Sequence, residues 1–234
     1  MRDSVRHFLS EFIGTFALTF VGSAAIMQAT QSGGNLVAVA LAHGLVFAVF
    51  VSAFMHIGAH FNPAITIGML AVRRIEPMLA GVYIVAQLAG ATAAAFTLKA
   101  TFPAALFAAT RGGGQSVSLD VTSGQAFTLE MIGTMLLVWA VFGTAVDHRA
   151  PRIGGFGVGL TLTVVMLAIG NLTGASLNPA RSFGPAFASG IYEAQGIYWL
   201  APITGGIIAA WIYEKFLLTD DPEPVDHGAI GAQP

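Results

Sequence analysis

The chain contains no cysteine, which excludes a disulfide framework, a thiolate metal site and a thiol nucleophile, and leaves the redox compartment unread. Charge is scarce as well. Only 9% of the residues are charged, against about a quarter in soluble domains. The net charge is −2 and the ten Lys and Arg are scattered, so no basic patch is available for nucleic acid. The N-terminal MRDSVRHFLSEF shows no separate apolar core followed by a small-residue cleavage site; the first apolar run is therefore expected to stay as a span. What remains is apolar: 55% of the residues are hydrophobic and the mean hydropathy is +0.74. This is the composition of an integral membrane protein.

Six apolar runs begin near Phe8, Leu36, Met78, Gly124, Ile153 and Gly196. Each has the roughly twenty residues needed to cross about 30 Å of hydrocarbon, so six transmembrane helices are expected. Two further segments stand out. GAHFNPAITIG (Gly58 to Gly68) and GASLNPARSFG (Gly174 to Gly184) lie 116 positions apart and share six of eleven residues. Each continues apolar for only about ten residues, about 15 Å of helix, which is half a membrane. Asn is a strong N-cap and Pro is favoured at the first helical position, so Asn62-Pro63-Ala64 and Asn178-Pro179-Ala180 start two half-helices, near 62–71 and 178–189.

The duplication extends beyond this motif. Glu11-Phe-Ile-Gly-Thr15 recurs as Glu130-Met-Ile-Gly-Thr134, and Tyr83, Ala86 and Gly90 recur as Tyr198, Ala201 and Gly205. The expected organisation is a first three-helix repeat over 1–102, a connecting loop over 103–123, a second repeat over 124–218, and a disordered tail over 219–234. Three crossings per half, an odd number, put the second half into the membrane upside down. The fold class is thus all-α, an inverted repeat with two re-entrant half-helices entering from opposite faces. Arg2, Arg6, Arg73, Arg74, Arg149, Arg152 and Lys215 fall on one side of this arrangement, and only Lys99 and Arg111 on the other. The positive-inside rule then makes both termini cytoplasmic.

Non-helical backbone at membrane depth must be buried in protein or line a watery cavity. If the half-helices meet end to end at the midplane, two positive dipole ends and two asparagine amides converge there and repel cations. A water passing between Asn62 and Asn178 turns its oxygen to both amides, which interrupts a proton wire.

FNPAITIG and LNPARSFG, with the Glu11 and Glu130 repeats, resemble the major intrinsic protein family of aquaporins and aquaglyceroporins over roughly residues 5 to 218. The resemblance implies a homotetramer of independent pores in the cell (inner or plasma) membrane, conducting water or small neutral solutes passively, with no cofactor, metal, nucleic-acid partner or enzymatic activity. It also implies a selectivity filter at His43, Met166, Ala175 and Arg181, similar to that of tonoplast-type plant members, so that ammonia, hydrogen peroxide or urea accompany water. The family's glutamates imply that Glu11 and Glu130 support the re-entrant loops. His60 is expected at the pore mouth, and His148 in a solvated loop. Glycerol conduction is the alternative, but Ser182 stands where glycerol-conducting members typically carry Asp, and Ala186 with Tyr198-Trp199 follows the water-channel pattern. A secondary active transporter also suits inverted repeats and broken helices, yet only Glu11 and Glu130 are available for a coupling ion. An intramembrane hydrolase would need more than the Ser176 and His60 the repeats bring near each other.

Because the chain has no thiol, mercurial reagents are expected to leave its flux nearly unchanged in proteoliposomes; strong, thiol-reversible inhibition would contradict this.

Overall fold

The computed structural model describes residues 2–151 and 153–218. The expected disorder of 219–234 and the placement of Arg152 lie outside the described residues. Among the described residues, six helices are long and apolar enough to cross a membrane: Asp3–Ser32, Leu36–Phe54, Pro77–Thr101, Ser123–Val146, Phe156–Thr173 and Gln195–Leu217. No strand occurs among the described residues.

In chain order the helices are α1 (Arg2–Ser32), α2 (Leu36–Phe54), α3 (Pro63–Ala71), α4 (Pro77–Thr101), α5 (Ala104–Ala109), α6 (Ser123–Val141), α7 (Phe156–Thr173), α8 (Pro179–Ser189) and α9 (Gln195–Ile212). The half-helices are α3 and α8, at the places the Asn-Pro-Ala segments announce. The stretch over 103–123 differs from the expected loop. It holds α5 and a 3-10 turn over Arg111–Gly113, and it is folded onto the bundle. Ser118 N donates to Leu172 O at 2.9 Å, and a Cβ on Gly113 would lie 2.6 Å from the Ser23 backbone. The glycines here serve close approach rather than an open surface loop.

The two halves interlock. Within each half the first and third spans pack together, α1 on α4 and α6 on α9. Each half-helix, however, packs against the last span of the other half, α3 on α9 and α8 on α4. The helices α2 and α7 close the ring between halves. Apolar side chains give little drive for association inside lipid, so helices associate where small residues let backbones approach. The repeat shows this twice over. A Cβ on Gly90 would lie 2.4 Å from Phe12 O, and one on Gly205 would lie 2.3 Å from Met131 O; these are the same crossing in the two copies.

Helices α1 and α9 respectively begin and end on one face, called here the terminal face. On that face both α6 and α9 finish in a π-helical turn, Phe142–Val146 and Tyr213–Leu217. The turns are joined by side chains. Tyr213 Oη donates to Asp147 at 3.2 Å, and Arg149 Nη2 reaches Asp147 Oδ2 at 2.6 Å and Leu217 O at 2.9 Å. The Arg149 guanidinium holds the Asp147 carboxyl well below the usual carboxylate range. Arg74 and Glu214 pair on the same face.

Gly90→Val and Gly205→Val are expected to destabilise the bundle by about 1–3 kcal/mol each through overpacking. Gly81→Ala, at a position with open space around it, should be neutral or slightly stabilising. Thermal unfolding in detergent checks the contrast, and equal effects at all three positions would refute the close-crossing role.

Candidate membrane pore

Both re-entrant segments carry strained backbone. Phe61 has φ 49° and Leu177 φ 53°, with Ala175 at φ 44° and Gly174 at φ 80°. Left-handed backbone is costly for residues with a Cβ and persists only where its surroundings over-determine it. Here they do. Glu11 accepts from His60 N and from Phe61 N, each at 2.7 Å. Glu130 accepts from Ser176 N at 2.9 Å and Leu177 N at 2.8 Å. Each carboxylate thus takes two consecutive backbone N–H groups of the loop in its own half, at equivalent positions. Side chains complete each shell: Gln87 Nε2 donates to Glu11 at 2.8 Å and Thr173 Oγ1 to Glu130 at 2.7 Å.

The asparagines then tie the halves together. Asn62 Oδ1 caps α3 by accepting from Ala64 N at 2.8 Å, and its Nδ2 donates to Leu177 O at 2.8 Å. Asn178 Oδ1 caps α8 by accepting from Ala180 N at 3.0 Å and Arg181 N at 3.2 Å, and its Nδ2 donates to Phe61 O at 2.8 Å. An amide nitrogen carries two hydrogens. One is committed across the midplane, which leaves one N–H on each asparagine, not two, for a passing molecule.

Asn62 and Asn178 line one cavity with His43, Ser176 and Arg181, and its remaining wall is Leu18, Phe47, Leu137 and Leu162. The space open to the centre of a water molecule is about 10 Å³, near the threshold for a single ordered water. A wider vestibule of about 480 Å³ opens on the face opposite the termini, lined by Asn35, Ser116, Asn171, Met166 and Arg181 among others. Arg181 borders both spaces and divides them.

Arg181 is 2% exposed. Its position in the first turn of α8 adds its charge to the positive end of that helix. Its Nη2 meets His43 Nε2 at 2.7 Å, while His43 Nδ1 lies 2.8 Å from Val39 O. A carbonyl can only accept, so the His43 proton sits on Nδ1 and Nε2 accepts from Arg181. Both ring nitrogens are then spent, and His43 positions the guanidinium rather than presenting a free N–H. Arg181 Nη1 has no protein partner.

Met166 is buried in one cluster with Ala40 and Ala175 and borders the vestibule, whereas Ala175 lines neither space. His60 lies outside the narrow cavity. It is half-buried, with Nδ1 at 3.1 Å from Thr66 Oγ1 and its ring edge-on to Tyr83 at 5.0 Å. The apolar wall is absent from the sequence-based site, yet the repeat carries its signal. The offset that relates Glu11 to Glu130 also relates Leu18 to Leu137, and the offset that relates Gly90 to Gly205 relates Phe47 to Leu162.

Glu130→Ala strands three buried donors, at about 1–3 kcal/mol each, and should lower the unfolding temperature sharply. Glu130→Gln, which still offers one oxygen, should fall between. An unchanged unfolding temperature for Glu130→Ala would contradict the loop-holding geometry.

Known proteins resemble the chain throughout its length. The family described as Major intrinsic protein matches residues 1–213. Aquaporin TIP4-4 of Zea mays is 39% identical over 239 aligned positions, covering 95% of this chain and 92% of that protein. Glycerol uptake facilitator protein-like 6 of Lactiplantibacillus plantarum is 41% identical over 211, covering 88% and 96%. Among solved structures, the X-ray structure of the aquaglyceroporin from Plasmodium falciparum superposes with a TM-score of 0.82 at 26% identity, covering 92% of this chain and 97% of that one. With the six spans, the paired half-helices and the narrow central cavity, these relatives show that the chain belongs to the major intrinsic protein family, whose members are passive multi-pass membrane channels and not enzymes.

Proposed function

We propose that the protein is a water channel that also passes ammonia, hydrogen peroxide or urea and excludes protons and ions. The observation that carries this reading is the narrow cavity, with room for about one water, where Asn62, Asn178 and Arg181 meet a lining that includes Leu18, Phe47, Leu137 and Leu162. A few polar groups in an otherwise apolar lining offer a water only a few hydrogen bonds, enough to offset part of its lost hydration without trapping the molecule. The two asparagine N–H groups point its oxygen one way and break a proton wire, and Arg181 with two helix N-termini opposes cations.

In this reading His43, Met166, Ala175 and Arg181 form the selectivity filter, His43 through Arg181 and Ala175 through Met166. Glu11 and Glu130 hold the loops, and His60 lies toward the mouth on the terminal face. None of the four filter residues is a large aromatic, which favours solutes somewhat larger than water. Glycerol is therefore the second reading, supported by the relatives named as a glycerol uptake facilitator and an aquaglyceroporin. The repeat boundaries follow the duplicated sequence, the assembly is a homotetramer, and the membrane is the cell membrane with both termini cytoplasmic.

Proteoliposomes test the reading with a panel of water, glycerol, urea and ammonia. Rapid swelling with a low activation energy, insensitive to proton or sodium gradients, is expected, with glycerol well behind water. Glycerol flux comparable to water would favour the second reading, and saturable, gradient-driven uptake would overturn the channel. Arg181→Val is expected to admit larger solutes and to raise proton or cation leak in the same vesicles; an unchanged solute range and leak would remove Arg181 from the filter.

A further inference from the structure

On α1, one turn beyond Leu18 of the narrow cavity, sits the buried glycine Gly22. Unlike Gly90 and Gly205, it faces a side chain rather than backbone. A Cβ on Gly22 would lie 2.3 Å from His43 Nε2, 2.5 Å from Cδ2 and 2.8 Å from Cε1, all inside the 3.0 Å that real Cβ contacts keep. The nearest of these atoms is the nitrogen that accepts from Arg181. The ring edge that meets the guanidinium therefore also lies against bare α1 backbone.

The ring has no room to retreat. His43 is 1% exposed, and its Nδ1 is tied to Val39 O at 2.8 Å, one turn back. Its helix is pinned as well. At the next residue a Cβ on Gly44 would lie 2.5 Å from Gly159 O, and one on Gly159 would lie 2.3 Å from Gly44 O, so α2 already rests backbone to backbone on α7. The second half supplies a comparison. The offset that relates Glu11 to Glu130 carries Gly22 to Val141, and the offset that relates Phe47 to Leu162 carries His43 to Val158. Those two valines are buried in one apolar cluster. The repeat itself thus accepts a side chain at this place, and its absence at Gly22 goes with the imidazole at His43.

We infer that Gly22 is a positioning residue of the pore, which seats the His43 ring and through it sets the orientation of Arg181 and the width of the narrow cavity. The inference rests on the proposed filter and adds to it a position outside its four residues. Any side chain at Gly22 must push His43 Nε2 from the place where it accepts from Arg181 Nη2, so the guanidinium loses its acceptor. Both side chains line a space of about 10 Å³, which has no slack to absorb a displaced ring. Gly22 does not touch the permeating molecule.

The test compares full-length wild type, Gly22→Ala, His43→Ala and the double variant in proteoliposomes, by water permeability, water-to-urea ratio and proton leak. Gly22→Ala is expected to lower water permeability several-fold and to change the ratio. His43→Ala is expected to raise urea relative to water. Gly22→Ala added to His43→Ala should alter neither quantity by more than about twofold, because the new methyl enters the space the ring has left. If Gly22→Ala alone fails to fold in detergent, the double variant should fold and conduct as His43→Ala does. A double variant that also fails to fold, or a Gly22→Ala effect of equal size with and without the ring, would make Gly22 a packing position and overturn the inference. Unchanged flux and ratio in Gly22→Ala would overturn it too. A His43→Ala channel that matches wild type in flux, ratio and leak would instead remove His43 from the filter, and the underlying reading would fail first.

Discussion

A bilayer core contains no water to satisfy a bare peptide group, so a chain that breaks helical structure at mid-membrane must find partners within itself or in a watery cavity that it lines. The segments before Asn62 and Asn178 make that break twice, and four side chains meet the demand. Glu11 and Glu130 each collect two consecutive N–H groups, and Asn62 and Asn178 each cap a half-helix while donating to the carbonyl that precedes the other. A carboxylate is costly at this depth unless it is fully engaged. Both are. The left-handed backbone at Phe61 and Leu177 is the geometry that turns N–H toward a glutamate of the same half and C=O toward an asparagine of the other.

Packing follows from the same exchange. Because each half-helix leans on the last span of the opposite half, neither repeat can be complete without its twin, and glycines at equivalent crossings bring the backbones into contact. The proposed selectivity elements are what the clasp leaves over: one N–H on each asparagine, and a guanidinium whose orientation His43 sets by accepting from it. Arg181 is tolerated because it borders the vestibule and the narrow cavity rather than lipid.

Much of this is legible in the residues. Asn-Pro-Ala announces both half-helices because an N-cap and a first-turn proline are local signals. The six spans follow from hydropathy, and the inversion from counting crossings. Other features depend on contacts between distant segments. Nothing local in Gln115 separates a loop glutamine from one buried against Gly174, and α5 with the turn at Arg111–Gly113 is hidden in a stretch whose glycines suit a loop equally well. His43 shows the same limit: the filter position proposed for it comes from family spacing, but its contact with Arg181 as an acceptor follows from Val39 O holding its proton on Nδ1. The apolar pore wall of Leu18, Phe47, Leu137 and Leu162 looks like ordinary membrane-helix composition until the repeat offsets are applied to it.

The reciprocal clasp can be measured as a unit. In a double-mutant cycle of Asn62→Ala and Asn178→Ala, followed by reversible unfolding in detergent and by water permeability in vesicles, each single change should undo much of what the double change undoes. The interaction energy should be on the order of 0.5–3 kcal/mol. Losses that add to within about 0.5 kcal/mol, with water flux surviving either single change, would mean that the two asparagines act independently and that the midplane clasp does not hold the pore.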